Sequence, residues 1–317
     1  LPGGVLTRVA KSHIRIGTFE YARTKNNQVL KTLADYSIDR HYPDLKQSDN
    51  KYLSFFATVC DKQALLISKW MSHGFIHGVM NTDNMTISGE TIDYGPCAFM
   101  DYYDPKTVFS SIDHNGRYSY QNQPTILIWN LAKFAETLIP LVDEDEEISI
   151  KKLTEVLQLT MPSYQEYFYK EFGGKLGLET IDIKNIKLIE NYIKILQSES
   201  IDFTLSFRHL SKVVDKSITI KDSVFGKSED FSIWYKSWKK EINVADISKE
   251  MNLKNPCYIP RNHLIEDALE NVINNGDMKK INLINKLLSE PFTEKNEFEK
   301  YMFPSSSDYR YITYCGT

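Results

Sequence analysis

The 317-residue sequence predicts a mainly helical α+β fold with one small β-hairpin. Apolar residues recur at helical spacing along most of the chain, whereas β-branched residues next to turn formers are concentrated in residues 4–20 and 85–92. Hydrophobic residues make up 42% of the chain and charged residues 25%, which is typical of a globular protein with a sizeable core. At roughly 100–200 residues per domain, the length allows one large domain or two.

Residues 4–20 form a glycine-bounded segment rich in β-branched residues, which indicates a strand or a strand-turn-strand. A helix is predicted from about Asn50 to Ser72. We expect Ser48 or Asp49 to cap its start and Gly74 to stand just past its end.

A hairpin is predicted after this helix. Its strands are Met85–Ile87 and Thr91–Ile92, and Ser88-Gly89 forms the turn between them.

Most of the remaining chain is predicted to be helical. Pro124 suits the first turn of a helix that runs to about Leu138 with one apolar face. Ser163–Glu166 fits a capping box, and Gly173-Gly174 fits the end of the helix that it would start. Further helices are predicted near residues 28–40, 181–197, 201–213, 264–275 and 278–289.

The amino-acid composition argues against nucleic acid and membrane as partners. Lys and Arg number 38 against 42 Asp and Glu, and this net charge of −4 argues against a general nucleic-acid binder. No uninterrupted apolar run reaches the roughly 18 residues that a membrane helix needs. We therefore expect neither nucleic acid nor membrane as a partner. The four cysteines, Cys60, Cys97, Cys257 and Cys315, form no C-x-x-C pair, which argues against a zinc site and indicates a reducing compartment.

The candidate chemistry is concentrated in residues 77–96. Kinase-like phosphotransferases place a catalytic Asp two residues after a His, a metal-binding Asn five residues later, and a second metal-binding Asp at a D-F-G turn. His77, Asn84 and Asp93 (followed by Tyr-Gly) take the His, Asn and D-F-G positions on that template. Val79, however, stands where the catalytic Asp belongs.

Valine cannot accept a proton or orient a hydroxyl, so an ordinary kinase mechanism fails at this position. Asn84 and Asp93 can still hold Mg²⁺, which prefers oxygen ligands and shares them with substrate phosphates. Asp83 is the nearest carboxylate that could replace the missing base. Turn chemistry explains any one of these residues equally well, but it explains their joint pattern less well. His77 alone is expected to be a structural hydrogen-bonding residue.

Arg8 and Arg15 are further candidates, because the planar guanidinium suits phosphate. A spacing of seven on one strand would point them to opposite faces, so a bend must intervene if both serve one site. For an isolated arginine, a surface ion pair is the favoured alternative.

These motifs resemble the selenoprotein O family, also called the YdiU family, of protein adenylyltransferases. The matching segments cover most of the chain: Arg8–Arg15, Gly17–Phe19, His77–Met85, Asp93–Pro96, Gly116–Tyr118, Asn122–Pro124, Trp129–Leu131, Asn255-Pro256 and Arg261-Asn262.

The resemblance implies a kinase-like fold, similar to a pseudokinase, that binds ATP in a reversed orientation. Such an enzyme transfers AMP to Ser, Thr or Tyr hydroxyls of proteins and releases pyrophosphate. By this resemblance Asp83 is the proton acceptor, and Asn84 and Asp93 hold Mg²⁺ or Mn²⁺. Arg8 and Arg15, together with Asp93, contact the nucleotide of the co-substrate ATP.

Family members also carry a glycine-rich loop and a Lys–Glu pair upstream of the Arg8 region. On this basis we expect residues 1–25 to be a strand-rich remnant of the nucleotide pocket, and residues 26–317 to be a helical kinase-like C-lobe with a C-terminal extension. This chain alone is then expected to have little or no transferase activity. The resemblance implies a cytoplasmic location in a bacterium or a mitochondrial one in a eukaryote. Cys315, near the C-terminus, is either a redox partner of Cys97 or another cysteine, or an unpaired thiol on a frayed tail.

Two other functions stay open. The first is ordinary phosphoryl transfer, which requires Asp83 to reach the position that Val79 vacates. The second is a non-catalytic nucleotide-binding scaffold. Transfer of an α-phosphate label or of a γ-phosphate label to the acceptor discriminates adenylyl from phosphoryl transfer.

Overall fold

The computed structural model describes residues 4–243, 246–305 and 311. Within these residues the regular structure is mainly α-helical with one small antiparallel sheet, which confirms the predicted helical α+β fold. The sheet consists of β1 (Phe75–Ile76) and β2 (Ala98–Phe99). The helices are α1 (Ile16–Lys25), α2 (Asn27–His41), α3 (Lys51–His73), α4 (Gln123–Val142), α5 (Glu146–Lys175), α6 (Ile183–Ser198), α7 (Phe203–Val214), α8 (Glu229–Trp238), α9 (Ile247–Lys254), α10 (Asn262–Asn275) and α11 (Lys279–Ser289).

The chain divides into two compact units, each assembled from three stretches of sequence. The first unit comprises Leu1–Ser68, Val79–Gly95 and Asn122–Tyr167. The second comprises Lys69–Gly78, Pro96–Gln121 and Phe168–Thr317. The domain boundary expected at residue 25 stays a prediction.

Aromatic packing forms the core of the first unit. Phe134 of α4 meets Phe19 of α1 at 4.9 Å between ring centroids, and it meets Phe55 of α3 at 5.6 Å, both edge-to-face. All three side chains are fully buried. Burying each ring contributes about 1.5–3 kcal/mol. This core fixes α1, whose first turn lies beside the candidate site.

Among the described residues, α4 belongs to the one helical segment that is long and apolar enough, by length and composition, to cross a membrane. Half of its most apolar stretch of 18 residues is buried inside the protein. Leu127, Leu131 and Leu138 are buried in the first unit, and Lys133 pairs with Glu136 on the exposed face. We therefore interpret α4 as a core helix.

Buried polar contacts hold the second unit together. Trp234 Nε1 donates to the Leu188 carbonyl at 2.8 Å, and Trp238 Nε1 donates to the Leu176 carbonyl at 2.9 Å. Arg261 is completely buried, and its Nη1 lies 2.8 Å from Asp202 Oδ2. These three donor atoms, on Trp234, Trp238 and Arg261, therefore have acceptors, which offsets the cost of removing them from water.

The opening strand prediction was wrong. Residues 4–14 form no regular strand, and Ile16–Lys25 is the helix α1. At its start the Arg15 amide donates to Thr18 Oγ1 at 3.1 Å, and the Thr18 amide donates to the Arg15 carbonyl at 3.0 Å. Burial of Ile16 and Phe19 favours the helix over the β-branched character of the segment.

Two helix-end predictions were also wrong. Asn50, not Ser48 or Asp49, caps α3, because its Oδ1 accepts from the Leu53 amide at 3.0 Å. The helix α5 runs without interruption through the predicted start at Ser163 and the predicted stop at Gly173-Gly174. The left-handed residue that follows α5 is Gly177, with φ +69°.

Candidate active site

Residues 79–95 form the loop that carries most of the candidate side chains. Its two sides are joined by an antiparallel bridge between Met85 and Thr91, so the predicted hairpin is present but short. The segment before α1 pairs with the same loop, since the Ile16 amide donates to the Met85 carbonyl at 3.0 Å and the Ile87 amide donates to the Ile14 carbonyl at 3.1 Å. The loop is thereby fixed to the start of α1.

Three buried side chains support the loop from the core. Gln63 of α3 donates from Nε2 to the Thr86 carbonyl at 2.5 Å, and the Tyr42 hydroxyl donates to the Ile87 carbonyl. Asn130 of α4 donates from Nδ2 to the Met80 carbonyl at 2.8 Å. Burial raises the pKa of Tyr42, which keeps its hydroxyl a donor.

Sequence reasoning missed these supporting residues as parts of the site. An amide such as Asn130 in the middle of the apolar run 124–138 is the signal that could have found one of them. Gln63 carries no comparable signal.

The Asp93 carboxylate forms ion pairs with two arginines in the site. Arg15 Nη2 lies 2.9 Å from Asp93 Oδ2 and 3.1 Å from Oδ1, and Arg8 Nη1 also pairs with Oδ1. The side chain of Asp93 is 14% exposed, that of Arg15 30% and that of Arg8 55%. The irregular path of residues 4–14 is the bend that brings both arginines to one carboxylate.

Asp83 and Asn84 lie in a short 3-10 helix, Thr82–Asn84, immediately before the bridge residue Met85. Asp93 lies two residues after Thr91, the residue paired with Met85. The antiparallel register therefore puts Asp83, Asn84 and Asp93 at the same end of the hairpin. Asp83 is exposed and Asn84 is half-buried, so the Asp83 carboxylate is accessible to an incoming group.

A cavity of about 700 Å³ opens beside Asp93. Arg8, Asp93 and Tyr94 supply polar parts of its wall, and Leu66 and Ile92 supply apolar parts. A cavity of this size with a few charged groups is typical of a small-molecule site.

The donor chemistry fits a magnesium ion that arrives with a polyphosphate. Within the described part of the chain, no group of three or more His, Cys, Asp or Glu side chains could hold a metal by itself. Asn84 and Asp93 offer an amide and a carboxylate oxygen, and Mg²⁺ commonly uses one or two such ligands together with phosphate and water.

His77 and the cysteines have structural surroundings. The His77 ring is buried and stacks on Trp70, with 5.3 Å between centroids. Burial raises the pKa of the Cys97 thiol to about 11, which disfavours the reactive thiolate. Cys315 lies outside the described residues.

Comparison with known proteins shows which family the chain resembles. The family model for the protein adenylyltransferase SelO matches residues 2–289. A protein nucleotidyltransferase YdiU of Maridesulfovibrio salexigens is 47% identical to the chain, and the aligned region covers 100% of the chain and 66% of the relative. Proteins of the same name from Rhizobium leguminosarum bv. trifolii and Bacillus cereus are 44% and 45% identical, with 100% of the chain and 65% of each relative covered. The chain thus spans about two thirds of the length of these relatives.

Proposed function

Because the chain belongs to the SelO family of protein adenylyltransferases, we propose that it binds ATP and transfers AMP to Ser, Thr or Tyr hydroxyls of proteins. The observation that carries this proposal is the convergence of Arg8 and Arg15 on Asp93 beside an open cavity. Two guanidinium groups around one carboxylate leave an excess positive charge, which suits a polyphosphate.

The arginines retain donors for a ligand. Arg15 uses Nη2 to contact Asp93, and its buried Nε has no hydrogen-bond partner among the described residues. An unsatisfied buried donor is costly, and a phosphate oxygen would satisfy it. Arg8 is more than half exposed and can turn toward a ligand.

Asn84 and Asp93 are the residues that would hold Mg²⁺ or Mn²⁺. The bound ion would supply neutralisation of the polyphosphate charge. Asp93 would then bind the metal ion and also lie beside the nucleotide. The positive charges of Arg8 and Arg15 compensate the negative charge of its carboxylate.

Asp83 is proposed as the proton acceptor in place of Val79. The acceptor hydroxyl oxygen attacks the α-phosphorus of ATP and forms the new O–P bond. The bond between the α-phosphorus and the oxygen that bridges it to the β-phosphorus breaks, and pyrophosphate leaves. The hydroxyl proton passes to the Asp83 carboxylate, which is exposed and lies at the same end of the hairpin as Asp93.

The mainly helical structure supports the further proposal of a kinase-like C-lobe. The order long helix (α3), loop with Asn84, short hairpin and Asp93-Tyr94-Gly95 is the order that such a lobe uses for its metal site.

The test compares ATP labelled on the α-phosphate with ATP labelled on the γ-phosphate. It uses the whole gene product that contains this chain, with Mg²⁺ and a generic protein acceptor. We expect the α-label to appear on protein with release of pyrophosphate. Asp83→Ala should lower turnover by about 10²–10⁴-fold with little change in ATP affinity, because it removes general-base catalysis.

Asp44→Ala is the matched control, since Asp44 is an exposed aspartate in another 3-10 helix, Pro43–Gln47, and should leave turnover unchanged. Transfer of the γ-label would support phosphoryl transfer and overturn the proposal. Binding of ATP without transfer of either label would support a scaffold instead.

A further inference from the structure

Gly17, in the first turn of α1, lies against the side chain of Asp83. A Cβ atom at position 17 would overlap Asp83 Oδ1, and it would lie 3.0 Å from Cγ and 3.4 Å from the backbone nitrogen of the same residue. The carboxyl group of Asp83 therefore occupies the space that any other residue at position 17 would fill.

The backbone at this position does not itself call for glycine. The φ angle of Gly17 is not positive, and the residue lies within a regular helix. Glycine in a helix costs about 0.5–1 kcal/mol relative to alanine. Glycine at this position lowers helix stability, but its lack of a side chain allows the Asp83 carboxyl group to approach closely.

The two sides of this contact differ in how firmly they are held. Ile16 and Phe19 are fully buried, and the Ile16 amide is bonded to the Met85 carbonyl. Asp83 is exposed and stands in a short 3-10 helix. A side chain at position 17 should therefore displace the Asp83 carboxylate rather than the helix.

We propose that Gly17 is a positioning residue, and that the close approach it permits sets the place of the Asp83 carboxylate relative to the nucleotide site. Arg15, which immediately precedes α1, contacts Asp93, so the residues at the start of the helix contact both acidic residues of the site. This inference rests on the proposed role of Asp83 as proton acceptor.

The test is Gly17→Ala in the whole gene product. We expect kcat for AMP transfer to fall by about 10–100-fold, because displacement of a catalytic group by about 1 Å is costly. ATP affinity should stay within about threefold, and the melting temperature should not fall, because alanine favours the helix. Gly174→Ala is the matched control, since Gly174 is also helical but has nothing within 4 Å of the added Cβ, and it should keep full turnover.

A double-mutant cycle separates this inference from the proposed function. Once Asp83→Ala has removed the carboxylate, adding Gly17→Ala should cause no further loss of turnover. Full activity of Asp83→Ala would contradict the proposed function itself. Loss of activity in Asp83→Ala together with full activity in Gly17→Ala would overturn the inference alone.

A crystal structure of Gly17→Ala provides a readout that does not depend on activity. We expect the Asp83 carboxylate to move while the backbone of α1 stays in place. Movement of α1 with Asp83 unmoved, or unfolding of the variant at the assay temperature, would contradict the inference.

Discussion

The Asp93 carboxylate accepts hydrogen bonds from two guanidinium groups although its own backbone is left-handed, with φ 55°. Such a conformation costs a non-glycine residue roughly 1–2 kcal/mol. The ion pairs with Arg8 and Arg15 offset this cost. The sequence identifies the two arginines and Asp93 as candidates for the site. It does not predict that both arginines contact Asp93, because a spacing of seven residues along a strand would point them to opposite faces. Their convergence depends on the irregular path before α1.

The two arginines should differ in their contribution to stability. Arg15→Ala should lower the free energy of unfolding by about 1–2 kcal/mol, because the half-buried Arg15 bonds both oxygens of Asp93. Arg8→Ala should cost less than about 1 kcal/mol, because Arg8 is mostly exposed. Chemical denaturation without nucleotide measures both values.

Both arginine variants should also bind ATP more weakly, by about tenfold each, since each removes one charge-assisted contact to phosphate. Isothermal titration calorimetry measures this change. Arg40→Ala is the control, because Arg40 is exposed on α2 and its side chain bonds the Tyr36 hydroxyl. Equal stability losses for Arg8→Ala and Arg15→Ala would contradict the difference in burial.

At the level of elements, most of the helices of the chain were predicted. Apolar periodicity predicts α3 and α4, and further helices were predicted near the positions of α2, α6, α7, α10 and α11. The short helices α8 and α9 were not predicted, because eight to ten residues give little periodic signal. The local start and stop signals inside α5 were overridden by the continuous helix.

The cap of α3 gives a test at this scale. Asn50→Ala should lower the free energy of unfolding by about 1–2 kcal/mol, because Asn50 caps the helix at the Leu53 amide and also donates to the Val142 carbonyl at 2.7 Å. Thermal or urea unfolding measures the loss.

Asp49→Ala serves as the control for the cap. Asp49 precedes Asn50, is exposed, and is one of the two residues, with Ser48, that the sequence led us to expect as the cap. Its replacement should change stability by less than about 0.5 kcal/mol. A larger loss of stability for Asp49→Ala than for Asn50→Ala would contradict the assignment of Asn50 as the cap of α3.

At the scale of the whole chain, each compact unit is built from stretches that lie far apart in the sequence. Arg261, which is completely buried, bonds Asp101, Asp202 and the Met302 carbonyl. Sequence periodicity cannot predict such partners, because they are separated by 41 to 160 positions. The same limit applies to Lys175, whose burial follows from packing of the second unit.

Lys175, at the end of α5, should make stability depend on pH. Burial lowers its pKa to about 7, and Glu171 acts in the opposite direction. In the unfolded chain its pKa is 10.5. Between pH 7 and 10.5 the unfolded state therefore binds more protons, so the stability contributed by this residue rises with pH through that window.

Lys175→Met tests this dependence, with Lys170→Met as the control on an exposed position of the same helix. The difference between the pKa of Lys175 in the folded and the unfolded chain limits its effect on the free energy of unfolding to about 5 kcal/mol. The ammonium lies 4.2 Å from the ring centroid of Phe207, a contact that favours the charged form and reduces the effect. Urea unfolding from pH 6 to 10.5 should show Lys175→Met more stable than the control below pH 7, and the two should converge as the pH rises. Parallel profiles would mean that Lys175 keeps its proton in the folded protein.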